Sequence, residues 1–392
     1  MTSTGLKRLL DSPERWLRPG ERVGLLTNHT GVDRRLRSAV DLLHDHHDIA
    51  LRRLYGPEHG LRGDAQAGAP VADAADPRTG LPVTSLYRAD HSVDDDAFAG
   101  IDTLLIDLQD IGARYYTYLA TANSAARRAA AAGTRVLVLD RPNPIAWMGV
   151  FGNRVAPGHG SIVGIEGLPI AHACTIAELL RHLARRDGRT LPEVVPMEGW
   201  TRSMRWEATG LPWVPPSPNL PTLAAAHLYP ATCLIEGTSL SEGRGTALPF
   251  DLVGAPDLDA YSLGDELATC AFGCLFRTTT FVPTFSKHEG VMCHGVQIHP
   301  DGAFTPAMMS LGPALLAGCR EHTPSFDWVR FNGTAFIDRL AGGPELRETV
   351  DTGGDIAALL DRWRGEADAF IDAVTPDLLY GPVHRAPIGE RA

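Results

Sequence analysis

Glu58 stands between Pro57 and His59 in the segment Tyr55–Gly63, where glycines let the backbone turn sharply and present a side chain to a cleft. A carboxyl group desolvated in a cleft holds its proton to higher pH and can act as a general acid. The plainer role for Glu58 is to cap a helix or pair with Arg62. Cleavage of a glycosidic bond usually requires a second carboxylate across the scissile bond, as base or nucleophile. Asp107, Asp110, Asp140, Glu236 and Glu242 are the candidates. Asp107 and Asp140 sit at strand ends, where a buried aspartate often just accepts backbone N–H groups. Asp110 lies in a loop proper, and Glu236 opens a polar stretch that also holds Arg244 and Thr246. Asp110 and Glu236 lead, and the choice between them stays open.

The same loops carry Arg62, Arg114, Arg141 and Arg244, with Lys287 further on. An arginine fork grips a carboxylate through two parallel hydrogen bonds, which suits a substrate with a fixed acid group. At least half of these arginines are expected to bind aspartates or carbonyls of their own loops instead. Tyr115, Tyr116 and Tyr118 can stack on a sugar face or simply pack a helix on a sheet. Asn143 and Asn219 lie in proline-framed turns, where turn formation is their ordinary role.

Elements that would position these side chains follow from hydrophobic periodicity. Val23–Thr27, Ala50–Tyr55, Ile101–Leu108 and Arg135–Leu139 read as buried strands. Ser38–His44, Ala120–Ala132 and Thr175–Asp187 read as helices, the second stopped by Gly133. This alternation predicts an α/β fold, a Rossmann-like parallel sheet with helices on both faces. The chemical residues fall in loops after strands, where open α/β sheets bind ligands. After a proline-rich stretch at Pro212–Pro221, expected to be a linker, the rhythm changes. Leu263–Phe272, Ala307–Cys319 and Asp355–Val374 look helical, and Thr278–His299 looks β-rich. The expected organisation is a catalytic domain at 1–250 and a smaller α+β domain at 251–392.

The 392 residues carry a formal net charge of -11, which disfavours sequence-independent nucleic-acid binding. Six scattered cysteines form no CxxC and read as small core residues, Cys270 and Cys274 sharing a face if helical. There is no GxGxxG after a strand, no P-loop, no GxSxG and no HExxH, so neither a cofactor nor a metal is expected. His44–His47 reads as a solvated helix end. No leader-like or membrane-spanning apolar run occurs, so a cytoplasmic location and no membrane partner are expected.

Eight ordered segments resemble a known family: GLLTNHTGVD, GPEHGLRGD, GLPVTSLY, IDLQDIGARYYTY, LDRPNPI, PPSPNLP, LIEGTSLSEGRGTALPF, and FSKHEG with MCHGVQIH. These are similar to the exo-β-N-acetylmuramidases, formerly a family of unknown function. The resemblance implies a Rossmann-like domain and a smaller C-terminal domain with the site between them. It implies release of terminal N-acetylmuramic acid from peptidoglycan fragments without a redox cofactor. Glu58 of PEHG then becomes the leading catalytic carboxylate. Arg62, Arg114, Asn219 and Arg244 become pocket residues, with His59, Tyr116, Asn143 and Thr246 completing the expected substrate-binding set. Ala173-Cys174 replaces a common Gly-Met, His29 a common Gln, and His288 a common aromatic. None of these removes a carboxylate. A hydrolase of another acidic amino sugar and a non-catalytic muropeptide sensor are the alternatives.

Overall fold

The computed structural model describes residues 1–63, 72–87 and 96–387. Six strands lie parallel: β1 (Arg22–Thr27), β2 (Ala50–Gly56), β3 (Pro82–Ser85), β4 (Thr103–Asp107), β5 (Arg135–Leu139) and β6 (Glu193–Val195). Their spatial order is β3-β2-β1-β4-β5-β6, with a two-residue antiparallel edge at Ala74–Ala75 beside β3. The chain thus winds outward from β1 to β3, then returns to the other side of β1 to start β4. Between β1 and β4 lies the switch point, where loops diverge and leave a crevice.

Side-chain alternation along the strands divides the core. Leu25, Leu105, Leu137 and Leu139 pack with Leu6, Val40 and Leu43 on one face. Leu26, Leu104, Ile106, Val136 and Val138 join a far larger cluster on the other. Continuous apolar strands are therefore what a sheet covered on both faces requires. The helix Ala39–His44 is capped by Ser38, and the helix Ile176–Arg186 by a reciprocal Thr175–Glu178 capping box. The Ala-rich helix runs from Thr117 to Ala131, starting three residues earlier than its periodicity suggested. That shift matters, because Thr117 becomes its first residue, at the mouth of the crevice.

The second half carries an antiparallel sheet of β7 (Leu252–Ala255), β8 (Cys274–Phe281) and β9 (Cys293–Pro300), in the order β7-β9-β8. The expected helix at Leu263–Phe272 is instead Ala260–Ala268, displaced toward Asp259, whose carboxylate accepts from Ser262 N at 3.1 Å. Cys270 and Cys274 therefore do not share a helix, although all six cysteines are free and buried. The helices Leu311–His322 and Ile356–Val374 fall close to expectation. The latter packs back on the strand Phe151–Arg154 of the first half, with the Phe151 and Trp363 rings 6.0 Å apart. One apolar cluster runs from Leu26 to Ala386 and joins the two halves. Pro212–Pro221 is no loose linker: Ser217, Asn219 and Leu220 are buried, and the Pro216 carbonyl accepts the Tyr118 hydroxyl at 2.7 Å. No helix among the described residues is long and apolar enough to cross a membrane.

Candidate active site

A cavity of about 600 Å³ opens at the carboxyl ends of the parallel strands. It is lined by the loops after β2, β3 and β4, the proline-rich segment, the 236–250 loop and the turn between β8 and β9. That size is typical of a pocket for a small organic ligand.

Glu58 reaches it from the turn after β2. His59 and Gly60 both take left-handed backbone, at φ 70° and 76°, so the chain reverses immediately behind the carboxylate. Thr117 Oγ1 donates to Glu58 Oε2 at 2.6 Å from the start of the Ala-rich helix. Tyr87, after β3, stands on the other side. Burial and the neighbouring Glu58 charge push its phenol up to about 12. Burial likewise raises Tyr116 and Tyr118, with Glu58 adding to the effect. Glu58 is thus buried among hydroxyls, and such groups can donate to a carboxylate or accept from a carboxylic acid.

Facing residues come from the second half. Glu236 is the fourth residue of a short 3-10 segment, Cys233–Gly237, and Glu242 follows six residues later. Arg244 Nη2 donates to Glu236 Oε1, and Arg244 Nε lies 3.1 Å from Glu242 Oε1. Lys287 Nζ donates to Glu242 Oε2 at 3.0 Å. Burial raises the Glu236 pKa, and the Glu242 charge adds to this; Arg244 and Lys287 oppose it. The Arg244 guanidinium stands 5.2 Å over the Phe250 ring, and Tyr229 meets Phe250 edge-on at 4.7 Å. One wall therefore offers aromatic faces, while Ile162, Phe285 and Phe331 are exposed hydrophobics at the cavity lining.

Of the residues expected from sequence, Glu58, His59, Tyr116, Asn219, Glu236 and Arg244 line this cavity together. Five others are placed elsewhere. Asp110 is buried beneath its loop, accepting from Gly112 N at 3.0 Å and lying 3.3 Å from His172 Nε2. Arg62 pairs with Asp76 at 2.7 Å. Arg114 is consumed by the carbonyls of Asn153, Leu340 and Leu168 at 2.5, 2.9 and 3.1 Å, and burial pushes its guanidinium down to about 10. Asn143 donates to the Cys174 carbonyl at 2.9 Å and accepts from Ile145 N at 2.9 Å, the ordinary role of a turn asparagine. Thr246 donates to Gly243 O at 2.6 Å and closes its own turn. Each was visible as a polar residue in a promising loop, but one-dimensional position does not say to which side of a loop a side chain points.

Asp107 and Asp140 are the buried acceptors their strand-end positions suggested. Asp107 takes a fork from Arg141 at 2.5 and 2.8 Å, and Asp140 accepts from Tyr380 and Thr175. Sequence reasoning passed over Thr117 and Tyr87; only the start of the helix and the sheet order bring them to Glu58. Among the described residues two groups have metal-ligand types close together, His46-His47-Asp48 and Glu266-Glu321-His322, and neither lines the cavity.

Models of the N- and C-terminal parts of the exo-β-N-acetylmuramidase NamZ match residues 23–224 and 227–380. The chain belongs to this family. It is 38% identical over 379 residues to the peptidoglycan β-N-acetylmuramidase NamZ of Bacillus subtilis (strain 168), covering 96% of this chain and 91% of that protein. Two crystal structures of DUF1343 family proteins from Bacteroides fragilis share the fold. One superposes with TM-score 0.86 at 32% identity, covering 97% of this chain and 99% of the other. The second gives TM-score 0.78 at 25% identity over the same shares. The seven-stranded, mostly parallel sheet with a smaller second sheet is thus the architecture of the family. Its two matched regions meet at residues 224–227, just where the helix Leu223–Thr232 begins.

Proposed function

We propose that this protein is an exo-acting glycosidase that releases N-acetylmuramic acid from the non-reducing ends of peptidoglycan-derived saccharides, acting in the cytoplasm. The observation that carries the site assignment is the meeting of Glu58 and Glu236, from opposite halves of the chain, in one cavity with aromatic walls. Glu58 protonates the leaving oxygen. Its Thr117 and Tyr87 neighbours serve the carboxylic acid as acceptors and the carboxylate as donors. Glu236 acts in its ionised form on the other side of the sugar, as the base for water or as the nucleophile. Of the five second-carboxylate candidates, Glu236 and Glu242 line the cavity; Glu242 is the more buried, at 2% exposure with a cation on each oxygen, whereas the Glu236 side chain stays 19% exposed.

Arg244 offers a grip for the substrate's lactyl carboxylate. Its Nε and Nη2 face protein carboxylates, and its Nη1 has no protein partner among the described residues. A domain boundary near Phe250, just after Arg244, is part of the same proposal.

The test is release of free N-acetylmuramic acid from a chromogenic β-muramide by wild type, Glu58→Gln and Glu236→Gln. Loss of a positioned acid or base lowers turnover by about 10² to 10⁴-fold. Wild-type turnover with that loss in both folded variants supports the reading. Binding of the muramide without any turnover would make the protein a sensor, and full activity in either variant would remove that carboxylate from the mechanism. Cell fractionation checks the location.

A further inference from the structure

We propose that Lys287, carried on the turn between β8 and β9, is a positioning residue that holds Glu236 in place for the reaction and supplies a positive charge beside it. This role rests on the assignment of Glu236 as a reacting carboxylate. Lys287 Nζ donates to the Leu240 carbonyl at 2.8 Å, to the Ile235 carbonyl at 3.0 Å and to Glu242 Oε2 at 3.0 Å, with the Glu236 carbonyl at 3.3 Å. These acceptors bracket Glu236 in the chain. One ammonium therefore ties both ends of the turn that presents the carboxylate. Lysine suits such a nest because its compact charge offers three donors from one atom, whereas the planar arginine fork does not converge.

The turn bearing Lys287 is itself built for the purpose. Ser286 and His288, on either side, adopt left-handed backbone at φ 73° and 57°. Such backbone is strained for residues other than glycine, and strain of this kind persists only when surrounding contacts over-determine it. Here the contacts are explicit. Thr284 N and Oγ1 donate to the Gly245 carbonyl at 2.9 and 2.8 Å, and His288 Nε2 lies 2.8 Å from the Ser239 carbonyl. Gly245 sits at φ 79°, where an added Cβ would lie 2.5 Å from the Phe285 carbonyl oxygen. The two loops are locked face to face, with Lys287 at the centre of the lock.

Charge balance separates this role from simple bracing. Glu236 and Glu242 are matched by Arg244 and Lys287, two against two. Glu58 stands in the same cavity; Tyr229 and Cys233, from the helix Leu223–Thr232 and the turn after it, also face Glu236, and burial raises both. They stay neutral and contribute no counter-charge. Replacing Lys287 by an apolar residue therefore leaves one buried negative charge in excess, and an opposite charge at this range typically moves a carboxylate by about one unit or more.

The experiment measures kcat and KM against pH, on the chromogenic muramide, for wild type, Lys287→Met and Lys287→Cys before and after alkylation with 2-bromoethylamine. The six native cysteines are buried, so alkylation is directed to the new thiol. Lys287→Met is expected to lower kcat by about 10 to 100-fold, as misplacement of a reacting group does, with KM changed less than threefold. Its acidic limb should move to higher pH by about one unit, because Glu236 then loses a nearby positive charge. Aminoethylation of Lys287→Cys should restore both rate and limb. If Lys287→Met does not fold, Glu242→Gln, which removes a negative charge from the same pair, must move the limb the opposite way. An unmoved limb in the folded variant that reports overturns the proposal. A fully active Glu236→Gln in the same assay would instead overturn the catalytic assignment beneath it.

Discussion

Asp140 offers a stringent test of the scaffold behind the site. It is fully buried at the end of β5, and burial pushes its carboxyl up to about 7, with the Glu178 charge adding to the shift. Its oxygens accept from the Tyr380 hydroxyl at 2.7 Å, the Thr175 hydroxyl at 2.8 Å and Ala177 N at 3.3 Å. These bonds join three distant pieces of chain: the end of β5, the cap of the helix Ile176–Arg186, and the C-terminal segment at Tyr380. Between pH 4 and 7 the native state binds a proton at Asp140 that the unfolded chain has released. Stability from this group is therefore full below the unfolded value, near 3.8, and is lost as pH rises through 7. A difference of roughly three units corresponds to about 4 kcal/mol.

Asp140→Asn removes this titration. The amide accepts the two hydroxyls on one side but opposes Ala177 N with a donor on the other, at a pH-independent cost of about 1–3 kcal/mol. Urea unfolding followed by tryptophan fluorescence, from pH 4.5 to pH 8, checks the comparison. The wild type should exceed the variant most at low pH, and its advantage should shrink by about 3 kcal/mol across the range, because part of the contribution is already lost at pH 4.5. Titrations remote from Asp140 cancel in the difference. A difference constant to within about 1 kcal/mol would refute the shift and the reasoning from burial. Muramidase turnover should be unchanged in the folded variant, because Asp140 does not line the cavity.

Two further outcomes are expected. Thr117→Val removes the hydroxyl bonded to Glu58 and should lower kcat/KM by about tenfold, corresponding to one hydrogen bond of ordinary strength; steady-state kinetics on the muramide check it. Arg114→Met leaves the Asn153, Leu168 and Leu340 carbonyls unmatched in the core, so the protein should lose about 3 kcal/mol of stability with KM unchanged. A raised KM with unaltered stability would return Arg114 to the substrate.

Much of the fold was legible in one dimension because it follows local rules. Continuous apolar runs became the parallel strands, and the Thr175–Glu178 spacing became a capping box. The left-handed turn behind Glu58 was foreshadowed by its glycines, and the polar stretch holding Glu236 and Arg244 does close one wall of the cavity. Boundaries were less legible: the Asp259 cap drew one helix toward the N-terminus, and the Ala-rich helix claimed Thr117 without a side-chain cap before it.

The sequence by itself determined the alternating α/β plan, the family, and the presence of carboxylates and arginines in loops at strand ends. Only tertiary structure decided which of them share a cavity. Asp110 and Glu236 look equivalent as acids in polar loops. Asp110 turns inward to Gly112 and His172, whereas Glu236 meets Arg244 in the cavity opposite Glu58. The physical reason is that a loop side chain's direction is set by the partner that satisfies it. Those partners come from sheet order and from the packing of the second half, which local sequence does not encode.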